Sequence, residues 1–325
     1  MTAKIIASIV GARPQFIKAA PVSRALASGF KEILIHTGQH YDHGMSDIFF
    51  EEMEMRLPNF NLGIGGGTHG EQTGRMLIEL EKTLALVKPD CVLVYGDTNS
   101  TLAGALAAAK AGIPLAHVEA GLRSYDRTMP EETNRVLTDH MSNLLFCPTD
   151  AAVENLKKEG ISIGVHRVGD VMYDALLHNL ELARKRSGIL KELGLQRGGY
   201  ALATVHRAAN ADDPARMRSI LNGLGNLSVR VIFPMHPRTR KMIQDQNFLV
   251  ASNVAVMEPV GYFDMLILEE NANCILTDSG GIQKEAYLLG VRCITLREET
   301  EWVETVHAGW NRLAGADAQA ICEIF

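Results

Sequence analysis

Residues Leu276–Ala286, LTDSGGIQKEA, combine the end of an apolar run, a tight polar turn and the start of a helix. This pattern recurs along the chain, where short apolar runs alternate with amphipathic segments of helical length. Such alternation is typical of α/β domains, and continuous apolar strands indicate parallel sheets covered on both faces. The runs that we assign to strands are KIIASIV, EILIHT, CVLVYGD, PLAHVEA, NLLFCPT, YALATVH, VRVIFPMH, NVAVMEPV, CILTDSG and VRCITL.

The length of the chain predicts more than one domain. A chain of 325 residues, 46% of them hydrophobic, exceeds what one hydrophobic core usually supports. A long helical stretch, about Met172–Leu193, precedes the glycine-containing QRGGY and the next strand. We therefore predict two Rossmann-like, doubly wound domains, about 1–168 and 169–325, with a cleft between them. The final AGADAQAICEIF resembles an unfinished helix, so we expect the natural protein to continue beyond Phe325.

Composition excludes several classes of function. The formal net charge is −6 and like charges do not cluster, which argues against nucleic-acid binding. The longest apolar stretch, Leu102–Ala109, is far shorter than the roughly 20 residues of a membrane span, and no signal peptide is recognisable. We expect a cytoplasmic protein without a membrane partner. The five cysteines are scattered, which indicates free thiols, and no metal-binding spacing occurs.

Polar residues concentrate where predicted strands end, which is where open parallel sheets bind ligands. Ser279, Gly280 and Gly281 place a hydroxyl and backbone N–H groups at the positive end of a helix, which suits a phosphate. Glu285 follows about one helical turn later, where a carboxylate can accept from a ribose hydroxyl. The alternative is an ordinary serine N-cap with glycines that permit the turn.

The first predicted strand ends in VGARPQFIK, which is not the GxGxxG pattern of dinucleotide sites. We therefore expect no nicotinamide or flavin cofactor. Pro14 suits a first helical turn, and Arg13 and Lys18 then supply a guanidinium and an ammonium for a diphosphate. The alternative is a pair of solvated charges on a helix.

Acidic residues follow two other strands. Asp97 in YGDTNST and Glu119 in HVEAGLRS come directly after apolar runs, so both are expected at the same edge of the sheet. Glu131, after Pro130, is either a third acid of the site or a favourable charge in the first turn of a helix. Glu132 is expected at the surface. Carboxylates in different environments suit general acid–base chemistry.

The second half of the chain contributes histidines at strand ends. His206 and Arg207 lie in ATVHRAAN, and His236 lies in PMHPRTR. A histidine that faces phosphates can stabilise a leaving group or protonate it. The alternative for each is a hydrogen-bonded structural histidine, and His206 is the better candidate because Arg207 adjoins it.

Nine stretches together, in order from Gly11 to about His307, resemble the non-hydrolysing UDP-N-acetylglucosamine 2-epimerases. The resemblance implies a glycosyltransferase-B-like pair of domains and reversible conversion of UDP-N-acetylglucosamine to UDP-N-acetylmannosamine. It also implies elimination of UDP to give 2-acetamidoglucal, followed by re-addition, without a cofactor. The stretches are GARPQFIK, TGQHYD, YGDTNST, HVEAGLRS, MPEETNRVLTD, GDVMYDAL, TVHRAAN, MHPRT and LTDSGGIQKEA.

The resemblance also implies roles for particular residues. Asp97, Glu119 and Glu131 match catalytic acids, and His206 matches a catalytic histidine. We expect Asp97 and Glu119 to act at C2, while His206 and Arg13 stabilise the departing UDP. Members are usually homodimers, so a homodimer is expected. Arg13, Ser279, Gly280 and Glu285 match UDP-binding positions, with Lys18 nearby, and we expect Arg207, His236 and Gly281 to bind the UDP-sugar as well. Gln39 and His40 match a region where some bacterial members bind a second UDP-N-acetylglucosamine as an activator.

Departures from the family pattern leave alternatives open. Gln15 and Ala209 stand where many bacterial members have glutamate. The stretches GARPQFIKAAPVSRAL and YGDTNST also resemble the members of the family that act on UDP-2,3-diacetamido-2,3-dideoxyglucuronate. Further alternatives are a hydrolysing 2-epimerase, a retaining UDP-sugar glycosyltransferase and a nucleotide-sugar sensor without catalysis.

Overall fold

The computed structural model describes residues 3–39 and 55–325. The described residues form two compact units, one up to Leu177 and one from His178 onwards. Elements are numbered along the described residues, and α6 contains the boundary. The elements up to this boundary are β1 (Ile5–Val10), α1 (Arg13–Leu26), β2 (Lys31–His36), β3 (Phe60–Asn61), α2 (His69–Val87), β4 (Cys91–Tyr95), α3 (Asn99–Lys110), β5 (Leu115–Val118), α4 (Pro130–Met141), β6 (Leu144–Cys147), α5 (Asp150–Lys158), β7 (Val165–Arg167) and α6 (Val171–Arg186).

The second unit continues with the same alternation of strands and helices. Its elements are α7 (Ile189–Glu192), β8 (Tyr200–Thr204), α8 (Ala208–Ala211), α9 (Pro214–Gly225), β9 (Arg230–Pro234), α10 (Pro237–Asp245), β10 (Val254–Met257), α11 (Tyr262–Asn271), β11 (Cys274–Thr277), α12 (Gly280–Leu289), β12 (Arg292–Thr295), α13 (Val303–His307), β13 (Asn311–Leu313) and α14 (Ala318–Ile324).

The sheet of the first unit has seven parallel strands in the order β3-β2-β1-β4-β5-β6-β7. Neighbouring parallel strands cannot be joined by a tight hairpin, so helices make the crossovers. The direction of winding reverses between β1 and β4, where Ile9 pairs with Val94. The crevice outside the carboxyl ends of two such strands is where doubly wound sheets bind ligands.

The sheet of the second unit repeats this order with six parallel strands, β10-β9-β8-β11-β12-β13. Here the winding reverses between β8 and β11, where Thr204 pairs with Thr277. Both central strands are buried along their whole length, as strands covered on two faces must be. The predicted fold class, two α/β units built on parallel sheets, is confirmed.

Helix α3 lies close to the centre of the first sheet because its sequence is rich in alanine and has a glycine at position 104. Ala103, Ala105 and Ala108 are buried in the core of this unit. A Cβ atom at Gly104 would lie 2.9 Å from Cδ1 of Ile9. This close approach places the start of α3 directly beyond the carboxyl end of β4.

The cysteines are free thiols, as the sequence predicts. All five cysteines are free, and Cys147, Cys274 and Cys293 are buried. No described helix is long and apolar enough to cross a membrane.

Candidate functional site

Asp97 lies at the carboxyl end of β4, as the sequence predicts. Gly96 turns the chain with a positive φ of 61°, and Thr98 then caps α3, so that Asp97 precedes the helix directly. Its Oδ2 accepts from Nη2 of Arg135 at 2.5 Å. The side-chain amide of Asn134 donates to the carbonyl oxygen of Asp97 at 2.8 Å. Helix α4 therefore fixes both the carboxylate and the backbone of this residue.

Glu119 follows β5 with a left-handed backbone, at φ 73°. A non-glycine residue rarely adopts this conformation, and such strain is concentrated at functional sites. Its Oε2 forms an ion pair with Nζ of Lys18, and both side chains are buried. Burial by itself would lower the pKa of Lys18, but the carboxylates of Glu119 and Asp97 raise it above its ordinary value. The structure therefore brings Lys18, Asp97 and Glu119 together around one buried positive charge.

The expectation that Glu132 is a surface residue is wrong. Its side chain is buried and accepts from the backbone N–H groups of Ser124 and Tyr125 at 2.9 Å each. It also pairs with Nη1 of Arg135 at 2.9 Å. Burial tends to raise the pKa of Glu132, but these hydrogen bonds and Arg135 hold it below its ordinary value. Glu131, the predicted acid, is half-buried in the first turn of α4.

Arg135 is a residue of this site that the sequence analysis missed. One guanidinium joins Asp97 to Glu132, and through Glu132 it holds the loop that follows β5. The motif MPEETNRVLTD contains this arginine, but its sequence position alone does not show which acids it reaches.

Helix α1 starts at Arg13, directly beyond β1, so the predicted diphosphate ligand Arg13 stands at the carboxyl edge of the sheet. Gln15 is buried and connects the carboxyl ends of β1 and β4. Its amide nitrogen donates to the carbonyl oxygen of Tyr95 at 2.9 Å, and its Oε1 accepts from the N–H of Gly11 at 2.8 Å. A carboxylate cannot make this donation. Glutamine therefore suits this backbone, which gives the departure from glutamate a physical reason.

Gln39, in the predicted activator region, contacts the start of α3. Its Oε1 accepts from the hydroxyl and the N–H of Ser100, at 2.7 and 3.2 Å. The other predicted member of that region, His40, lies outside the described residues.

In the second unit, Asp278 connects the ends of β11 and β8. Its buried carboxylate accepts from the N–H of His206 at 3.1 Å and the N–H of Arg207 at 3.1 Å. Nδ1 of His206 lies 3.3 Å from Oδ1 of Asp278, and the His206 side chain is 44% exposed. Burial tends to raise the pKa of Asp278, but the hydrogen bonds from His206 and Asn210 hold it below its ordinary value. The sequence analysis missed Asp278, although it follows an apolar strand directly, as Asp97 does.

His236 lies beside His206, with 6.2 Å between the ring centroids. Its Nδ1 accepts from the N–H of Arg238 at 3.2 Å, so His236 serves as the N-cap of α10. Burial and the neighbouring charges of His206 and Arg238 lower the pKa of His236. The ring therefore favours the neutral form at pH 7.

The start of α12 has the turn that the sequence predicts. Ser279 is its N-cap. A Cβ atom at Gly280 would lie 2.0 Å from Oε1 of Glu301, so a side chain there would displace that carboxylate. A Cβ atom at Gly281 would make only an ordinary contact with Oγ of Ser279, at 3.8 Å. Glu285 is buried and accepts from the hydroxyl of Tyr262 at 3.1 Å.

The chain belongs to the UDP-N-acetylglucosamine 2-epimerase family, whose sequence profile matches residues 24–325. A UDP-N-acetylglucosamine 2-epimerase homolog from Methanococcus maripaludis is 57% identical over 98% of this chain and 90% of its own length. The UDP-2,3-diacetamido-2,3-dideoxy-D-glucuronate 2-epimerase of Pseudomonas aeruginosa is 49% identical, with the same coverage of both chains. The family predicted from the sequence is confirmed.

Solved structures agree with this assignment. The crystal structure of Methanocaldococcus jannaschii UDP-GlcNAc 2-epimerase in complex with UDP-GlcNAc and UDP matches with a TM-score of 0.91 and 47% identity. The match covers 98% of this chain and 91% of that chain.

Proposed function

We propose that this protein interconverts UDP-N-acetylglucosamine and UDP-N-acetylmannosamine by reversible epimerisation at C2, without net hydrolysis. The observation that carries the proposal is the buried Lys18–Glu119 ion pair beside Asp97, at the carboxyl edge of the first sheet. Two carboxylates held in different surroundings are what proton removal and return at one carbon require. The sugar specificity of the family supports the choice of substrate.

The C2–H bond of the sugar is not acidic, because C1 carries no carbonyl group. Elimination avoids this difficulty. The C2 proton passes to an enzyme carboxylate, the C1–O bond breaks, and UDP leaves with the bonding electron pair as a C1=C2 double bond forms. A proton then returns to the other face of C2, and UDP adds back to C1. Neither the elimination nor the re-addition oxidises or reduces the sugar, so the proposed route needs no redox cofactor.

Residue roles follow from the surroundings of each group. Glu119 and Asp97 act at C2, and Lys18 keeps the Glu119 carboxylate charged and oriented. Glu131 is a third acid on α4. His206 and Arg13 stabilise the charge that develops on the departing UDP. The remaining contacts to UDP come from Arg207, His236, Ser279, Gly280, Gly281 and Glu285, and Gln39 belongs to an activator region.

A second candidate substrate has support of its own. The Pseudomonas aeruginosa relative that is 49% identical is a UDP-2,3-diacetamido-2,3-dideoxy-D-glucuronate 2-epimerase. The same elimination and re-addition serve this sugar, since the chemistry at C1 and C2 is unchanged.

Product analysis without any acceptor tests the function. The purified protein is incubated with UDP-N-acetylglucosamine, and the nucleotides and sugars are separated by chromatography. We expect a mixture of the two UDP-sugars. Free N-acetylmannosamine with a matching amount of UDP would indicate a hydrolysing enzyme instead. No reaction with this sugar but epimerisation of the diacetamido-glucuronate would assign the second substrate.

We also propose that the protein is cytoplasmic and, as the resemblance implies, a homodimer. Light scattering should give about twice the mass of one chain, which is 35.5 kDa. A mass near one chain would contradict the dimer.

A further inference from the structure

His117 lies in β5, two residues before Glu119, and its ring is fully buried. Its Nε2 lies 2.7 Å from the carbonyl oxygen of Gly96, and its Nδ1 lies 2.7 Å from Oδ1 of Asp139. A carbonyl oxygen only accepts, so Nε2 donates to Gly96. The ring therefore links the end of β4 to helix α4.

Asp139 binds the loop that follows Glu119 in the sequence. Its Oδ2 accepts from the N–H of Gly121 at 3.0 Å and from Nη1 of Arg123 at 2.7 Å. Burial tends to raise the pKa of Asp139, but His117 and Arg123 hold it below its ordinary value, so the carboxylate is ionised. Both oxygens of the Asp139 carboxylate therefore have partners, Oδ1 in Nδ1 of His117 and Oδ2 in Gly121 and Arg123.

The Gly96 carbonyl belongs to the peptide group that continues into Asp97. Gly96 also lies against the catalytic ion pair: a Cβ atom there would be 3.1 Å from Nζ of Lys18 and 3.3 Å from Oε2 of Glu119. Rotation of this peptide would move Asp97 relative to Glu119. The hydrogen bond from His117 opposes that rotation.

We propose that His117 is a positioning residue that sets the relative placement of Asp97 and Glu119. It orients the peptide before Asp97 directly, and through Asp139 it fixes the turn that carries Glu119. The inference rests on the proposed function, since it takes these two acids as the groups that act at C2. A displacement of about 1 Å at such groups costs about 100-fold in rate.

Two substitutions separate the two hydrogen bonds of the ring. His117→Gln places an amide nitrogen near the position of Nε2, so it can still donate to Gly96. His117→Asn places one near the position of Nδ1, so it keeps the bond to Asp139 and loses the bond to Gly96. Thr138→Val is the control, because the Thr138 hydroxyl is buried on the same helix without a hydrogen-bond partner among the described residues.

For the asparagine variant we expect kcat to fall about 100-fold, while KM and the affinity for UDP stay within about twofold. The glutamine variant should keep kcat within about tenfold of wild type, and Thr138→Val should match wild type. Thermal unfolding and UDP calorimetry of each variant report on folding and binding.

Equal kcat values for the two His117 variants, or loss of UDP binding together with kcat, would overturn the proposal, because a purely structural histidine behaves in that way. Wild-type protein is assayed in parallel on both candidate sugars. If wild type turns over and the asparagine variant equals it, this inference alone fails. If wild type turns over neither sugar, the proposed function fails, and the role of His117 falls with it.

Discussion

The charged side chain of Lys18 is buried and pairs with Glu119, whereas the side chain of Asp97 is partly exposed and pairs with Arg135. Removing one partner of a buried pair leaves the other charge without compensation. The two acids thus keep distinct surroundings as long as each keeps its own cation. In the proposed function these separate surroundings let one carboxylate take up the C2 proton and, once protonated, return it in the reverse reaction, independently of the other acid.

Asp97→Asn tests the role of the second acid. The amide keeps the size of the side chain but cannot take up the C2 proton, so turnover should fall by at least about 100-fold. The affinity for UDP, measured by calorimetry, should stay nearly unchanged, because the proposed UDP contacts lie elsewhere. Asp245→Asn, at an exposed position, is the matched control. Normal turnover in Asp97→Asn would remove this residue from the mechanism.

The lowered pKa of Asp278 predicts that the free energy of unfolding depends on pH. Its pKa is lowered in the folded protein, so the ionised carboxylate stabilises the fold above the unfolded pKa of about 3.9. This contribution is lost as the pH falls through the folded pKa. We expect Asp278→Asn to lower the free energy of unfolding by about 1–3 kcal/mol at pH 7. Denaturant titrations at pH 7 and at pH 3 should show a smaller difference from wild type at the lower pH; a constant difference would contradict this linkage.

At the scale of elements, helix α3 sets the position of the Asp97 turn. It can approach the sheet because residue 104 has no side chain: a Cβ there would also lie 3.1 Å from Cγ1 of Val94. The start of the helix carries Ser100, which binds Gln39, and Asn99, which binds Gln72. Any displacement of α3 would therefore also move residues of the candidate site.

Gly104→Val should push α3 away from the sheet and destabilise the protein by about 1–3 kcal/mol, as overpacking does. Turnover should fall by more than the loss of folded protein explains. Gly74→Ala, inside α2, is the control, since a Cβ there meets nothing within 4 Å. It should be neutral or stabilise by up to about 1 kcal/mol. Denaturant unfolding of both variants measures the effect. A free energy of unfolding for Gly104→Val equal to that of wild type would contradict the packing argument.

The apolar runs predict the ten strands that they contain, because a strand buried on both faces needs a continuous apolar sequence. The strands β3, β7 and β13 were not predicted. They lie at sheet edges and are two or three residues long, so they lack such a run. The position of Asp97 and Glu119 directly after apolar runs was enough to predict that both lie at the edge of the sheet. It did not reveal the burial of Glu132, which depends on the loop that packs over α4.

At the scale of the whole molecule, the two units share one plan. Each sheet reverses its winding between its first and fourth strands, and each carries its candidate residues beyond that point. The first unit places paired acids there, and the second places a histidine pair and a helix start. In the proposed function, the acid–base groups therefore lie on the first sheet and most of the proposed UDP contacts lie on the second.

The central claim is that the C2 proton leaves the sugar and another returns. Proton NMR of UDP-N-acetylglucosamine with the protein in heavy water tests it most directly. The account predicts loss of the C2 proton signal, as deuterium enters at C2, together with new anomeric signals of UDP-N-acetylmannosamine. Epimerisation with the C2 proton fully retained would contradict it.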